Sequence, residues 1–321
     1  MPARTQRTES QSSHELVTIG ESMVAFIRQS FSTDQYRAVC IGAESNVAIN
    51  FAQLGGRVKW SSALGDDELG RLISRHVCAA GVEASVRWDP SRPTGVAIKE
   101  VARNGRRLQY YRNGSAASNL LPSDVPDLRG VHVLHLSGIT PALSDQSLST
   151  VMWAIDEARR NNVRVSFDVN FREGLWPTLP VAREVLLPLC SVADVIFVGD
   201  DEAESLVGSL APEKFIEIAE LRESKEVVFK RGARRASVYA GGHEWSMAPP
   251  RVDVTDVTGA GDAFAAGYLR ALCLEHGMRD RLRWAHWCAA RVVQVEEDTA
   301  PMPNSTELQL LKGGGGYSRS V

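Results

Sequence analysis

The stretch Asp256-Val257-Thr258-Gly259-Ala260-Gly261-Asp262-Ala263-Phe264 joins a glycine turn to the start of a helix of small residues. Gly259 and Gly261 allow a tight backbone turn, and the first amides of a helix have no partner within the helix. The positive end of the helix dipole adds to the attraction that these amides exert on an anion. The stretch is therefore typical of a phosphate-binding site.

Asp262 is the unexpected residue in this stretch. A carboxylate in an anion site repels phosphate, unless it takes the proton from a hydroxyl that attacks a phosphoryl group. The pattern thus predicts phosphoryl transfer to an alcohol. Taken alone, the same residues are explained equally well by a strand-to-helix turn in which Asp262 is only a cap.

Composition excludes several classes of protein. The chain has 321 residues, a net charge of −3 and its cationic residues scattered among acids, so it has no basic field for nucleic acid or an anionic membrane. No apolar run approaches the ~20 residues of a membrane helix, and the N-terminus lacks the apolar core of a signal peptide. We expect a cytoplasmic protein with a small-molecule substrate. The five cysteines show no metal-ligand spacing.

Short β-branched runs alternate with amphipathic segments along the chain. The predicted strands are 17–20, 60–64, 131–136, 163–169, 195–198 and 227–230. The predicted helices are 46–54, 67–80, 144–160, 212–223, 260–276 and 279–296. This alternation favours an α/β fold with a doubly wound, mostly parallel sheet and helices on both faces.

Two stretches, about 22–43 and 94–113, break the alternation. The second contains two strand-like runs around the turn Arg103-Asn104-Gly105-Arg106, which predicts a hairpin. Neither stretch has room for a crossover helix, so we expect a small antiparallel β lid. Such a lid would exclude water, the competing acceptor, from the site. Its outer face could pair with a second subunit, which predicts a homo-oligomer.

Polar and glycine-rich ends bound the predicted domain. Residues 1–14 have no hydrophobic periodicity and are expected to form a disordered tail. The run Gly313-Gly314-Gly315-Gly316 opens a second flexible tail, 313–321. The predicted domain is 15–312.

Several further segments carry a resemblance to a known family. They are Gly20-Glu21, Gly42-Ala43-Glu44-Ser45-Asn46-Val47-Ala48, Tyr110-Tyr111-Arg112-Asn113-Gly114, Leu134-His135-Leu136-Ser137-Gly138-Ile139, Asp168-Val169-Asn170-Phe171-Arg172, Lys230-Arg231-Gly232 and the glycine turn. Across nearly the whole predicted domain the chain resembles the ribokinase-like (PfkB-type) carbohydrate kinases. Within that family it is most similar to the 2-keto-3-deoxygluconate kinases.

The resemblance implies roles for the phosphate-binding residues. Asp262 would be the catalytic base, and the backbone of Gly259, Ala260 and Gly261 would be the anion hole. Lys230, Arg231 and Gly232 would lie along ATP. Glu202 would help to position Mg²⁺ through water, and a monovalent cation is also implied as a possible cofactor.

The resemblance also implies an acceptor site. Gly42, Asn46, Tyr110, Arg112, Ile139 and Arg172 match positions that contact the sugar acid. A guanidinium fork suits a carboxylate, and a tyrosine hydroxyl suits a sugar oxygen. The expected reaction is ATP-dependent phosphorylation of the terminal hydroxyl of 2-keto-3-deoxygluconate. Surface salt bridges and the alternating faces of a hairpin would explain the same arginines and tyrosine without a ligand.

Four residues depart from the family pattern. Ile41 replaces a glycine, Ala97 a substrate-contacting tyrosine, Gly199 an asparagine near the metal, and Arg235 a glycine near the nucleotide. These differences leave open another acceptor, namely fructose, a nucleoside or a related sugar acid. A catalytically silent relative that binds a sugar acid or nucleotide is a further alternative.

Overall fold

The structure is a computed structural model that describes residues 14–30, 34–102, 105–222 and 225–303. Most of the two predicted tails lies outside the described residues, as do Arg103 and Asn104 of the predicted turn.

The described residues form thirteen strands and eight α-helices. The strands are β1 (Leu16–Ile19), β2 (Met23–Arg28), β3 (Tyr36–Ile41), β4 (Val58–Gly65), β5 (Glu83–Asp89), β6 (Val96–Ala102), β7 (Gly105–Tyr111), β8 (Val133–Ser137), β9 (Arg164–Asp168), β10 (Val195–Gly199), β11 (Glu226–Lys230), β12 (Ala236–Ala240) and β13 (His243–Met247). The helices are α1 (Ala43–Gln53), α2 (Glu68–Ala79), α3 (Asp145–Arg160), α4 (Leu179–Val192), α5 (Asp200–Val207), α6 (Pro212–Ile218), α7 (Ala260–Cys273) and α8 (Met278–Val292).

Nine of these strands form one sheet in the order β13-β12-β11-β10-β9-β8-β1-β4-β5. The pairings from β11 through to β5 are parallel, and β12 and β13 add antiparallel strands at one edge. Alternate residues of β10 enter two different cores: Ile196 and Val198 pack on one face, and Val195 and Phe197 on the other. Helices α3 to α6 cover the first face, and α1, α2, α7 and α8 cover the second. The predicted doubly wound, mostly parallel sheet is confirmed.

The sequence patterns missed β5, β12, β13, α4 and α5, and placed three helix ends too far along the chain. Helix α7 ends at Cys273 rather than at residue 276. Helix α6 ends at Ile218 rather than at residue 223, because the backbone turns left-handed at Glu220 (φ 52°) and brings Leu221 against the core. Helix α8 ends at Val292 rather than at residue 296. The residues after it lead instead into the segment that lines the cleft described below.

The lid is a four-stranded sheet in the order β3-β2-β6-β7. Its outer pairings are antiparallel, as predicted, whereas the central pair β2 and β6 is parallel. The two segments arrive at this sheet in the same direction, and a parallel pair is the result. One face carries the apolar cluster of Met23, Ala25, Ile41 and Ala97.

The carboxyl ends of the parallel strands define where a ligand can bind. Gly20 follows β1, Asp168 ends β9, Gly199 ends β10 and Lys230 ends β11. These ends share one edge of the sheet, the usual place for ligands in open α/β folds. Within the described residues, no helix combines the length and the apolarity needed to cross a bilayer.

Candidate active site

The glycine turn ends in helix α7, as the sequence predicts. Gly259 caps the helix at φ 76°, and a Cβ atom on it would lie 2.1 Å from the carbonyl oxygen of Asp298. Only glycine fits both the backbone angle and this approach. The Ala260 amide donates to the Val257 carbonyl (3.3 Å), and the first helical bond runs from Ala263 to Gly259. The Ala260 amide, which was expected in the anion hole together with the backbone of Gly259 and Gly261, is thus already engaged. The open amides of this helix start are those of Gly261 and Asp262.

Asp262 lies in the first turn of α7, deep in a cleft. Its Oδ2 accepts a hydrogen bond from Asn46 Nδ2 at 2.9 Å. Burial raises the pKa of Asp262 to about 8; the negative charges of Asp168 and Asp298 act in the same direction, and Asn46 and Lys230 oppose them. A carboxyl poised near neutral pH is suited to accept a proton.

Asp298 is a second carboxyl in this cleft, and the sequence analysis did not single it out. It follows α8, and its side chain also interacts with Asn46. Burial raises the pKa of Asp298 to about 6. The amide of Asn46 thus connects the two acids, so that the charge on one bears on the ionisation of the other.

Lys230 forms the cationic side of the cleft. Its Nζ lies 2.6 and 2.8 Å from the two oxygens of Asp168 and 3.5 Å from where a Cβ would stand on Gly261. Burial lowers the pKa of Lys230, but the charges of Asp168 and Glu202 outweigh it and raise the pKa overall. Lys230 is therefore a fixed positive charge close to the glycine turn.

Glu202 lies between the cationic groups Lys230 and Arg172. One carboxylate oxygen accepts the Gly199 amide at 2.7 Å and caps α5, while the other is 3.6 Å from Arg172. Burial raises the pKa of Glu202. The glycine at 199 leaves this carboxylate free of a neighbouring side chain, since a Cβ there would stand 3.3 Å from it.

Directly after lid strand β7, Arg112 is paired with the buried Glu21, which also accepts a hydrogen bond from Ser115 at 2.5 Å. Burial raises the pKa of Glu21, and Arg112 opposes this. Within the described residues, the buried Nε of Arg112 and Oδ1 of Asn170 have no hydrogen-bond partner. Both residues line the cleft, so a ligand with acceptor and donor groups would satisfy them.

The lid provides the upper wall of this cleft. Ala97, where the resemblance implies a lost tyrosine hydroxyl, is fully buried and pairs across the strands with Tyr110. Tyr110 shares its face of the sheet and lines the cleft, with Arg112 Cζ 5.7 Å from its ring. A tyrosine hydroxyl is therefore present in the cleft wall, but Tyr110 on β7 supplies it rather than a residue of β6. Ile41 and Met23 supply the apolar part of the wall.

A second cleft adjoins the first and shares Arg172, Glu202 and Lys230 with it. Arg231 and Gly232 line it, and Asp200 holds Arg231 at 3.0 Å. Arg235 does not line this cleft: it contacts Ser246 at the edge hairpin, while the neighbouring Arg234 reaches Asp200 at 2.8 Å. Arg235, which departs from the family pattern, therefore lies away from the lining of this cleft.

The structure brings together nearly all of the residues predicted from sequence. Those that line the first cleft are Gly42, Asn46, Tyr110, Arg112, Ile139, Arg172, Glu202, Lys230, Gly259, Gly261 and Asp262. Arg231 and Gly232 line the second cleft, and Ala260 lies between the two lining glycines of the turn.

Gly42 is needed where it stands, because a Cβ there would lie 2.6 Å from the Glu21 carbonyl oxygen. Of the lining residues that were missed, Glu21 and Asn170 stood inside the motif segments, where attention to every polar residue would have found them. Asp298 lies outside those motif segments, so no pattern in the sequence pointed to it.

The donor set suits magnesium bound mainly through phosphates. Across the described ranges there is no group of three or more His, Cys, Asp or Glu side chains that could hold a metal. Mg²⁺ at nucleotides usually takes one or two carboxylates together with phosphate oxygens and water. Glu202 is a hard oxygen ligand at the junction of the two clefts and fits that description.

Comparisons with known proteins agree with this arrangement. The model of the pfkB family carbohydrate kinase matches residues 13–305. The chain is 36% identical over 278 residues to the 2-dehydro-3-deoxygluconokinase of Thermoproteus tenax, covering 84% of each chain. It is 32% identical over 304 residues to that of Bacillus subtilis (strain 168), covering 92% of this chain and 94% of the relative.

A solved fructokinase from Vibrio cholerae O395 has the same fold. It superposes with a TM-score of 0.82 at 25% identity, covering 94% of this chain and 99% of the fructokinase. That structure contains fructose, ADP and a potassium ion.

Proposed function

The chain belongs to the pfkB family of carbohydrate kinases, phosphotransferases with alcohol acceptors, and we propose that it phosphorylates the terminal hydroxyl of 2-keto-3-deoxygluconate with ATP. The observation that carries this proposal is the position of Asp262. It stands at the open amides of α7, in the cleft lined by Tyr110, Arg112 and Arg172.

In the proposed reaction the acceptor hydroxyl lies against Asp262. The ionised carboxylate takes the hydroxyl proton as the acceptor oxygen bonds to the γ-phosphorus of ATP, and the bond from that phosphorus to the β-phosphate oxygen breaks to release ADP. The amides of Gly261 and Asp262 and the ammonium of Lys230 stabilise the charge on the transferring group. The adjoining cleft at Arg231 and Gly232 would hold the rest of the nucleotide.

Magnesium, when bound, would neutralise charge on the phosphates. Glu202 would hold it through water. Asp168 keeps Lys230 in place, since both of its oxygens contact the ammonium. Lid strands β6 and β7 would close over the acceptor and exclude water.

The unpartnered Nε of Arg112 and the exposed side chain of Arg172 favour an acidic acceptor. Arg172 is 53% exposed, and its Nη1 donates to the Phe171 carbonyl at 3.1 Å and lies 3.6 Å from Glu202. The rest of its guanidinium is available to a carboxylate. A polyhydroxy acid supplies both the carboxylate and the hydroxyl groups that Tyr110 and Asn170 can bind.

A neutral sugar such as fructose is the second candidate, because Glu21 already neutralises Arg112 in the acceptor cleft. Ala97 also contributes no hydroxyl to the cleft wall. The neutralised charge of Arg112 and the missing hydroxyl at Ala97 both weaken the case for an acidic acceptor. The residues proposed to transfer the phosphoryl group are the same for either acceptor.

The test is ADP release by the purified protein with Mg-ATP and one acceptor at a time: 2-keto-3-deoxygluconate, gluconate, fructose, ribose, adenosine or none. We expect the highest kcat/KM with 2-keto-3-deoxygluconate. The Asp262→Asn variant, purified identically, controls for contaminating kinases. A higher kcat/KM with fructose would overturn the substrate assignment, and no turnover with any acceptor would favour a catalytically silent relative.

A further inference from the structure

One lid side chain reaches the glycine turn. Lys99 on β6 extends from the lid, and its Nζ lies 2.7 Å from Oδ2 of Asp256, 157 residues further along the chain. The two side chains are only 11% and 12% exposed. A largely buried ion pair of this kind is costly to break, since each charge loses its partner in a low-dielectric environment.

The second oxygen of Asp256 fixes the turn itself. Oδ1 accepts the Thr258 amide at 3.0 Å and the Thr258 hydroxyl at 2.7 Å. Lys99 Nζ also lies 3.4 Å from that hydroxyl oxygen. Thr258 directly precedes Gly259, so the backbone that sets the direction of the open amides is held through Asp256.

Lys99 also balances charge beside the anion site. Burial opposes ionisation of Asp256, but hydrogen bonds from Lys99 and Thr258 hold its pKa well below the usual range, so it is negative at neutral pH. Without a counter-charge, this carboxylate would repel a phosphoryl group at the neighbouring turn. An ammonium in contact with it removes much of that repulsion.

We propose that Lys99 is a positioning residue that makes the anion hole depend on the lid. With the lid in place, its ammonium holds Asp256, and Asp256 holds Thr258 and the amides that follow. When the lid lifts, Lys99 leaves Asp256, and the turn loses this contact and the positive charge that comes with it. Phosphoryl stabilisation is then complete only when the lid covers the acceptor, which limits transfer to water. This role rests on the proposed kinase function.

The lid contains a matched control for this proposal. Arg37 on β3 contacts Glu297 at 2.6 Å and Glu296 at 3.7 Å, so it also links lid and body, but it does not touch the glycine turn. Its side chain is 35% exposed. The variants Lys99→Met and Arg37→Met each remove one cation from the lid and keep an unbranched apolar side chain.

The first measurement is amide hydrogen exchange of residues 257–262 in the full chain without substrate. We expect Lys99→Met to speed amide exchange in this segment about tenfold or more. A tenfold increase corresponds to a free energy of local opening that is lower by ~1.4 kcal/mol. Arg37→Met should leave this peptide unchanged. Because no substrate is present, this exchange result does not depend on the proposed function. Failure of the proposed function would show separately, as wild-type protein that turns over no acceptor.

The second measurement is turnover. Misdirected anion-hole amides should lower kcat for Lys99→Met by about 10- to 100-fold, somewhat less than the loss of a whole donor. Lys99→Arg should retain most of the activity. In Lys99→Ala, n-propylammonium, which replaces the deleted atoms, should restore part of kcat, and tetramethylammonium at equal ionic strength should not.

Two results would overturn the proposal. One is a Lys99→Met variant with kcat within twofold of wild type and unchanged exchange at 257–262. The other is an equal loss in Arg37→Met, because the effect would then belong to any link between lid and body.

Discussion

The glycine turn and the lid face each other across one cleft, but they are held in different ways. The turn, residues 256–262, is organised by neighbours in sequence: Asp256 binds Thr258, and Gly259 opens α7. The lid wall combines β2, β3, β6 and β7, which come from two separated segments. In the proposed reaction the chemistry therefore depends on a short contiguous segment, and acceptor choice depends on side chains that only the fold assembles. Changes in the turn, and at Lys99, which reaches the turn from the lid, should affect kcat, whereas changes at the lid side chains that line the cleft should affect acceptor KM.

The largest effect is expected in the turn, at the proposed base. Asp262→Asn removes proton acceptance and keeps the size of the side chain, so kcat should fall about a thousandfold with little change in acceptor binding. The same variant should be more thermally stable than wild type at pH 8.5 but not at pH 4. Burial raises the pKa of Asp262 in the folded state to about 8, well above its pKa in the unfolded state. As the pH rises between these two values, the unfolded state ionises first, so the wild type loses stability and the Asn variant does not. Turnover near the wild-type rate would contradict the base assignment.

Gly259→Ala tests the geometry of the turn without changing charge. The new methyl would meet the Asp298 carbonyl oxygen at 2.1 Å, and φ is 76°. We expect kcat to fall about a hundredfold, as when an anion-hole donor is displaced, and the Tm to drop. Gly174→Ala, where a Cβ meets nothing within 4 Å, is the control. Equal kinetics for the two variants would show that the backbone of the turn tolerates movement.

A smaller effect is expected in the lid, at Tyr110. Tyr110→Phe removes a single hydroxyl, so the acceptor KM should rise about tenfold while the KM for ATP stays constant, in line with the loss of one hydrogen bond. Tyr111→Phe on the opposite face of the same strand is the matched control and should behave as wild type. A change in kcat alone for Tyr110→Phe would count against the division between chemistry and acceptor choice.

The smallest expected effect is a shift in the pH dependence of kcat/KM when Asp298, in the segment after α8, is replaced. Log kcat/KM should rise with pH towards a midpoint near 8, because Asp262, as the proposed base, accepts a proton only when ionised. Burial is the main cause of that raised pKa; among the charged groups that face Asp262, Asp168 and Asp298 raise it further and Lys230 lowers it. Asp298→Asn removes one negative charge, so the midpoint should move to lower pH. Glu157→Gln on α3 should leave it in place, and a shift to higher pH in Asp298→Asn would contradict this account.

Sequence patterns predicted the parallel sheet well because its central strands are buried on both faces and appear as β-branched runs. They missed α4, which has Pro188 within it, and α5, which is only eight residues long, because propensity is weak over short or interrupted helices. They also missed the parallel pairing of β2 with β6, since a pairing between distant segments has no local signal.

Sequence by itself determined the family, and it pointed to the proposed phosphate-binding turn and the proposed base, because glycine positions, an acid and a helix start act over a few consecutive residues. Only the tertiary structure decided that Glu21 neutralises Arg112, that Tyr110 occupies the face beside Ala97, that Asp298 joins Asp262 through Asn46, and that Lys99 holds Asp256. These contacts join residues far apart in the chain, and burial sets their charge states. No single segment of the sequence reveals which other residues it will contact in the fold or how deeply they will be buried.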